Sequence, residues 1–267
     1  MMTIREYKRA ESLEEAWQLN QKRPNRVLGG MIWLKMENIN VGTAIDLSGL
    51  GLDTIEETDE GLSIGAMVTL RQLELHPGLA AYTDGAVRES VRHIVGVQLR
   101  NLATVGGSIY SRFGFSDVLT MFLALNASVE LYKGGVVPLA EYAQRPYDRD
   151  ILVRVLVPKE NARFVYQSVR NSQTDFPVLT CAAAKLADGS IRAAIGRDHK
   201  RRTRQGGGQR RWLDRAAADQ GDGAAGGHDH ASPRPIPPKT RRNGIAQAKA
   251  RMIYRGSSSH MGGRPPN

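Results

Sequence analysis

The chain has 267 residues, enough for one large domain or two modest ones with real cores. Its formal charge of +10 is unevenly divided: residues 197–267 hold 16 Lys and Arg against 5 Asp and Glu, and residues 1–196 hold 21 against 22. No apolar run approaches the ~20 residues of a membrane span, and the start Met1-Met2-Thr3-Ile4-Arg5 has no apolar signal core. The single cysteine, Cys181, excludes an internal disulfide and any cysteine-ligated zinc or iron–sulfur centre carried by this chain alone. A cytoplasmic protein is therefore expected, with Cys181 a small buried packing residue in an apolar stretch.

In chain order, Ser12 is a good N-cap, with Glu15 completing a capping box for a helix over Leu13–Gln21 that Pro24 closes. Arg26-Val27-Leu28 reads as a short strand running into Gly29-Gly30, and Ala44–Leu47 as another, which makes a βαβ-like unit. A second region begins near Thr54. Leu62–Ala66 reads as a strand, Thr69 opens a short helix, and Gly85–Val95 reads as a helix with Val87, Val91, Ile94 and Val95 on one face. After a second glycine pair, Gly106-Gly107, come an apolar helix over Val118–Asn126 and strands at Val129–Tyr132 and Ile151–Val157. Phe164–Arg170, Val178–Leu186 and Ile191–Ile195 read as three further strands, the last two joined by the hairpin-type turn Ala187-Asp188-Gly189-Ser190. Residues 197–267 contain no Glu, Val or Phe but 11 Gly and 6 Pro, a composition expected to be disordered.

The two glycine pairs carry the chemistry. Glycine lets backbone approach a ligand closely, and consecutive free N–H groups at such a turn cradle phosphate. Each pair alone is also compatible with an ordinary tight turn. Asp117 opens an apolar helix and reads either as its N-cap or as a ligand. Arg100 reads as a solvated charge beside the second turn or as a phosphate ligand, Trp33 as core or as a ring-stacking platform, and Gln167 as a strand surface residue. His76 and His93 lack a ligand-spaced partner, so no metal site is expected.

Six stretches together resemble the FAD-binding (medium) subunit of the molybdenum hydroxylases, the xanthine dehydrogenase and carbon monoxide dehydrogenase group. They are Ser12–Ala16, Val27–Leu34, Gln98–Ile109, Ser116-Asp117, Leu123–Leu131 and Asp150–Pro158. The order and spacing agree over about residues 1–196. The resemblance implies an α+β fold: an FAD-binding domain over 1–162, with subdomains at about 1–53 (small, βαβ) and 54–162 (a larger mixed or antiparallel sheet with helices). The remnant of a C-terminal sheet domain would follow at 163–196. It also implies that backbone around Leu28, Gly29, Gly30, Met31 and Ile32 holds the FAD pyrophosphate, and that Thr104, Val105, Gly106, Gly107 and Ser108 lie along the flavin and its linker. Asp117 would bond sugar or ribityl hydroxyls, Leu152 would pack near the isoalloxazine, and Gln167 stands where relatives often carry Lys. The chain departs from the family pattern at Met31-Ile32, in place of Thr-Asp, and at Ser108, in place of Asn.

The function this implies is electron transfer. Partner subunits carry the molybdenum cofactor and [2Fe–2S] centres; FAD in this chain takes the electrons and passes them to NAD⁺ or another acceptor. No residue here is then a general acid or base. Two other readings stand beside it. One is a flavin-free scaffold subunit of the same complex. The other is a nucleic-acid-binding protein using Lys200-Arg201-Arg202, Arg210-Arg211 and Arg241-Arg242, which the sparse aromatic interleaving disfavours. The family continues past the third sheet with apolar helix-forming sequence, whereas residues 197–267 look like sequence read in the wrong frame. A frameshift and a sheet with one apolar face uncovered are expected.

Overall fold

The computed structural model describes residues 1–197, and the basic segment, with the expectations attached to it, lies outside the described residues. The chain opens with strand β1 (Thr3–Arg9), helix α1 (Leu13–Asn20) and strands β2 (Arg26–Leu28) and β3 (Asn40–Asp46). These strands form a parallel sheet ordered β1-β3-β2, the βαβ unit read from the sequence. Ser12 caps α1 by accepting the Glu15 N–H. The Glu15 carboxylate reaches past the cap to the N–H of Glu11, so the capping box is displaced by one residue.

A five-stranded antiparallel sheet follows, ordered β4-β5-β8-β6-β7. Its strands are β4 (Ile55–Glu57), β5 (Gly61–Gly65), β6 (Ser128–Leu131), β7 (Gly135–Pro138) and β8 (Leu152–Pro158). Between β5 and β6 the chain makes six short helices: α2 (Leu70–Leu75), α3 (Pro77–Tyr82), α4 (Ala86–Val91), α5 (Val97–Leu102), α6 (Val105–Tyr110) and α7 (Asp117–Ala124). Helix α8 (Leu139–Tyr142) follows β7. Thr69 and Gln72 make a full capping box for α2, and His76 caps α3 by accepting the Leu79 N–H. The helix expected over Gly85–Val95 stops at Val91. Val95 adopts φ +49° and is exposed, so only Val87 and Val91 sit fully in the core. A β-branched residue in the left-handed region cannot continue a helix.

The central strand β8 explains its own continuous apolar sequence. Val155 and Val157 enter the large core beneath the helices, whereas Ile151 and Val153 join Ala16, Ile45 and Leu47 of the parallel unit. Burial along β8 still alternates beyond Leu152: Val153, Val155 and Val157 are buried, and Arg154 and Leu156 between them stay partly exposed. Arg149 fastens the same junction by donating to the carbonyls of Asn20, Lys22 and Arg23 at the end of α1.

The last strands, β9 (Ala162–Arg170), β10 (Pro177–Leu186) and β11 (Ile191–Arg197), form an antiparallel sheet ordered β11-β10-β9, turned at Gly189 with φ +86°. Its inner face joins the main core: Phe164, Tyr166, Ala182 and Ala184 are buried there, and Thr120 of α7 hydrogen-bonds Thr180 at 2.9 Å. The opposite face exposes Val165, Val169, Ile191 and Ile195, and carries Cys181 half-buried rather than buried as expected.

Because the third sheet shares its core with the helices, Phe164→Ala should cost about 3–5 kcal/mol and leave urea unfolding a single transition. Two separate transitions would show that the sheet is an independent unit. A second expectation concerns Glu14, which accepts from Lys133 and Tyr132 across the seam between α1 and the five-stranded sheet. The Lys133 ammonium, then the Tyr132 hydroxyl, hold its carboxyl down at about 2. A depressed acid contributes stability that is fully present above its unfolded value and lost as pH falls. The stability difference between the wild type and Glu14→Gln should therefore shrink between about pH 4.5 and 2, read by denaturant titration at each pH.

Candidate functional site

The two glycine pairs meet in space. A Cβ built on Gly30 would lie 2.0 Å from the Leu102 carbonyl oxygen and 2.8 Å from the Ala103 Cα, so the first turn packs backbone to backbone on the junction between α5 and α6. A Cβ on Gly29 would sit 2.9 Å from the Thr104 hydroxyl. Glycine is required here by protein packing itself.

The second pair is not a free turn. Gly106 and Gly107 lie in the first turn of α6, capped by Thr104, whose hydroxyl accepts the Gly107 N–H at 3.1 Å. The Val105 and Gly106 N–H groups donate to the carbonyls of Val68 and Ala66 at 2.8 Å each. The Ser108 N–H and hydroxyl both go to the Thr104 carbonyl. This corrects the expectation of free amides there: the protein consumes them, because Val68–Thr69 runs alongside as a partner for the cap. What α6 leaves open is surface. Gly107 is exposed, and its missing Cβ would meet only the Thr104 hydroxyl at 3.1 Å.

The first turn has the opposite character. The N–H groups of Gly29, Gly30, Met31, Ile32 and Trp33 find no acceptor among the described residues. Met31 adopts φ +56°, the left-handed backbone that also occurs in anion-binding nests. Its side chain turns into a small apolar cluster with Leu28, Val41 and Ala44, followed by a 3₁₀ turn at Leu34–Met36. Ile32 is half-buried. No side chain from Gly29 to Trp33 carries a charge, so these five residues themselves can hold an anion only through main chain.

The charged residues nearby are committed elsewhere. Arg100 is neither solvated nor free for phosphate. It is buried, donating to Glu74 at 2.8 and 3.4 Å and to the Ile94 carbonyl at 3.2 Å. Burial acts to raise Glu74, yet the hydrogen bonds from Arg100 and Arg71 hold its carboxyl below the usual range. The pair anchors α5, and with it the Leu102 carbonyl that receives Gly30. Asp117 is not the N-cap of α7; Ser116 is, accepting the Leu119 N–H. Asp117 is the first helical residue and is buried. The Tyr166 hydroxyl donates to its Oδ1, and Arg170 pairs with the same oxygen at 2.5 Å. Burial pushes the Asp117 carboxyl up against these partners, and pushes the Tyr166 phenol up as well, so Tyr166 stays a donor. Leu152 is buried in β8, and Gln167 is exposed on β9, on the sheet face opposite Tyr166. Strand β8 packs against α6, and Leu152 shares the main core with Val105 and Ile109, whereas Gln167 faces away from that core.

Trp33 departs from its core assignment. It is 43% exposed and sits among Phe113, Phe115 and Phe176, with ring centroids 5.5, 6.5 and 5.5 Å away. The sequence reading also missed Arg112. At φ +48° it turns its guanidinium over the rings of Tyr142 and Tyr147, 4.1 and 4.8 Å from their centroids, and donates to the Arg145 carbonyl. Burial pushes the Tyr142 phenol up to about 12. The signal was available: Arg112-Phe113-Gly114-Phe115, three large side chains around a glycine, stands in the loop directly after the second glycine pair. Among the described residues no group of His, Cys, Asp and Glu is arranged to hold a metal ion. A cleft of about 450 Å³ lined by Asp53, Thr54, Ile55, Gln72, Leu75 and His76 contains none of the predicted site residues.

Residues 2–160 match the family described as the FAD binding domain in molybdopterin dehydrogenase. The chain belongs to that family. It is 26% identical to the glyceraldehyde dehydrogenase medium chain of Sulfolobus acidocaldarius, over 72% of this chain and 75% of that one. It is likewise 26% identical to the Escherichia coli protein YgfM, over 72% and 74%. Its fold is shared with quinoline 2-oxidoreductase from Pseudomonas putida 86, at TM-score 0.65 and 22% identity over 72% of this chain and 73% of that one. Carbon monoxide dehydrogenase from Hydrogenophaga pseudoflava matches at TM-score 0.65 and 23% identity, over 72% and 74%. The chain thus belongs to an oxidoreductase family whose cofactor is FAD. No helix among the described residues is long and apolar enough to cross a membrane.

The packing of the first turn generates a stability test. Gly30→Ala forces a methyl group onto backbone atoms and should cost about 1–3 kcal/mol through strain. Gly107→Ala, in a helix and meeting only the Thr104 hydroxyl at 3.1 Å, should change stability by less than about 1 kcal/mol. Thermal melting of the two variants checks the contrast, and equal losses would show that the glycine pairs do not differ in this way.

Proposed function

We propose that this chain is the FAD-carrying electron-transfer subunit of a cytoplasmic molybdenum hydroxylase-type complex. Partner subunits hold the molybdenum cofactor and [2Fe–2S] centres, and electrons leave this chain to NAD⁺ or another acceptor. The observation that carries this reading is the run of unaccepted amides from Gly29 to Trp33, seated on the Leu102 carbonyl through Gly30. Such a run is a main-chain anion site and fits a pyrophosphate. FAD, when bound, supplies the redox chemistry, and the protein binds and orients it.

The residues divide the work as follows. Leu28, Gly29, Gly30, Met31 and Ile32 hold the pyrophosphate through backbone, and the Met31 side chain secures the turn in its apolar cluster. Thr104, Val105 and Gly106 spend their hydrogen bonds on building α6. Gly107 and Ser108 offer an open surface along the cofactor. Asp117 reaches sugar or ribityl hydroxyls by exchanging one of its present partners, Arg170 or Tyr166. Leu152, in the core beside α6, packs near the isoalloxazine as the resemblance implies, and Gln167 stands on the outer face of β9 where relatives often carry Lys. The flavin-free scaffold draws support from the loss of Thr-Asp at Met31-Ile32 and from the engagement of Asp117.

One experiment separates the two readings. The purified chain should show flavin absorption, or acquire it on incubation with FAD. Gly107→Val should fold like the wild type, by far-ultraviolet dichroism and melting, yet lose the flavin, because a branched side chain fills the open surface. Full FAD occupancy in that variant sinks the site, and a colourless wild type that ignores FAD leaves the scaffold. In either form the isolated chain should pass electrons from NADH to a dye at most, with purine or aldehyde hydroxylation requiring the partner subunits.

A further inference from the structure

The four rings around Trp33 come from three separate segments: Trp33 from the end of the first glycine turn, Phe113 and Phe115 from the α6–α7 loop, and Phe176 from the β9–β10 loop. Phe113 and Phe115 stack at 5.1 Å and 10°, and Trp33 lies on Phe176 at 5.5 Å and 25°. The cluster is not core. Trp33 is 43% exposed, Phe113 37% and Phe176 51%. An aromatic patch left in water, at residues with no part in the hydrophobic core, marks a surface that a ligand or partner covers.

What singles out the occupant is the position of Trp33. Its own N–H belongs to the run of unaccepted amides, and consecutive Cα atoms are only about 3.8 Å apart. An anion on those amides is therefore within a side chain's length of an exposed indole. A nucleotide combines the two chemistries this segment offers, an anionic phosphate and a flat heteroaromatic ring a sugar away. A protein partner has no comparable reason to meet both at once.

We propose that Trp33, backed by Phe113, Phe115 and Phe176, is the stacking seat for a flat ring of the dinucleotide whose phosphates the Gly29–Trp33 amides hold. This rests on the flavin reading above and assigns it a side chain that the glycine turn by itself does not. The ring is either the adenine or the isoalloxazine, which share the π-face that indole recognises.

The test uses the full chain. FAD affinity is measured for the wild type, Trp33→Ala and Trp33→Phe by equilibrium dialysis, with melting temperatures as the folding control. Trp33→Ala should weaken FAD by about 10- to 100-fold and Trp33→Phe by no more than about 3-fold, the scale of one lost base stack. Separate titrations with ADP and with FMN locate the ring: a Trp33→Ala loss in the ADP arm assigns adenine, and a loss in the FMN arm assigns isoalloxazine. A further measurement leaves Trp33 in place. With Trp17 and Trp212 replaced by Phe, ADP should quench the remaining indole emission if adenine stacks on it, since ADP does not absorb there. If FMN is the half that responds, its bound dichroism should instead change on Trp33→Ala. Unchanged affinity for FAD in Trp33→Ala overturns the proposal while leaving the flavin reading standing. Unchanged FAD affinity with lost co-purification of partner subunits also overturns it, giving the patch to a protein interface. A wild-type chain with no affinity for FAD overturns the flavin reading and this inference with it.

Discussion

The site depends on one backbone contact, the seating of Gly30 on the Leu102 carbonyl. Gly30 has no room for even a methyl group there. The contact fixes the first glycine turn against the start of α6 and so decides which amides face protein and which do not. The Leu102 end of that contact is itself anchored from below. The ion pair of Arg100 with Glu74, reinforced by Arg71 at 2.9 Å, ties α5 to α2 in a buried setting. Removing one partner of such a pair leaves an uncompensated charge, which is far more costly than the pair is favourable. The two residues are best understood as the footing of the turn.

From that contact follows a division of roles between two similar pieces of sequence. Both glycine pairs look like phosphate turns, but a helix N-terminus inside a packed domain must satisfy its own orphan amides. Here Ala66, Val68 and Thr104 do so. The second pair therefore contributes smoothness: no Cβ projects from Gly107. The first pair sits at the edge strand of a parallel sheet, beyond the last ladder bond, where nothing among the described residues accepts from its donors.

Much of the fold was legible because it follows from local pattern. The βαβ unit, the apolar strand ending at Pro158 and the three-stranded antiparallel sheet with its Asp188-Gly189 turn all announce themselves by period and turn chemistry. What was hidden is tertiary. Gly-Gly reads as a turn, and only the neighbouring Val68 and Ala66 carbonyls make it helical. Arg100 reads as solvated until Glu74, distant in sequence, is brought against it. Asp117 reads as a cap because nothing in its own segment reveals Tyr166 and Arg170, which arrive from β9. Trp33 reads as core because indole is usually covered; its exposure depends on three loops converging.

The Asp117 arrangement carries a consequence for how a cofactor would enter. Its carboxylate is nearly sealed, sharing one oxygen between a phenol and a guanidinium. Both donors come from β9, and Arg170 also reaches the Asp175 carbonyl in the loop that presents Phe176. One strand thus links the buried carboxylate to the exposed ring cluster. In the proposed flavin site, a ligand hydroxyl that replaced Arg170 on Asp117 would free the guanidinium at the base of that loop, and occupancy near α7 would then bear on the position of Phe176.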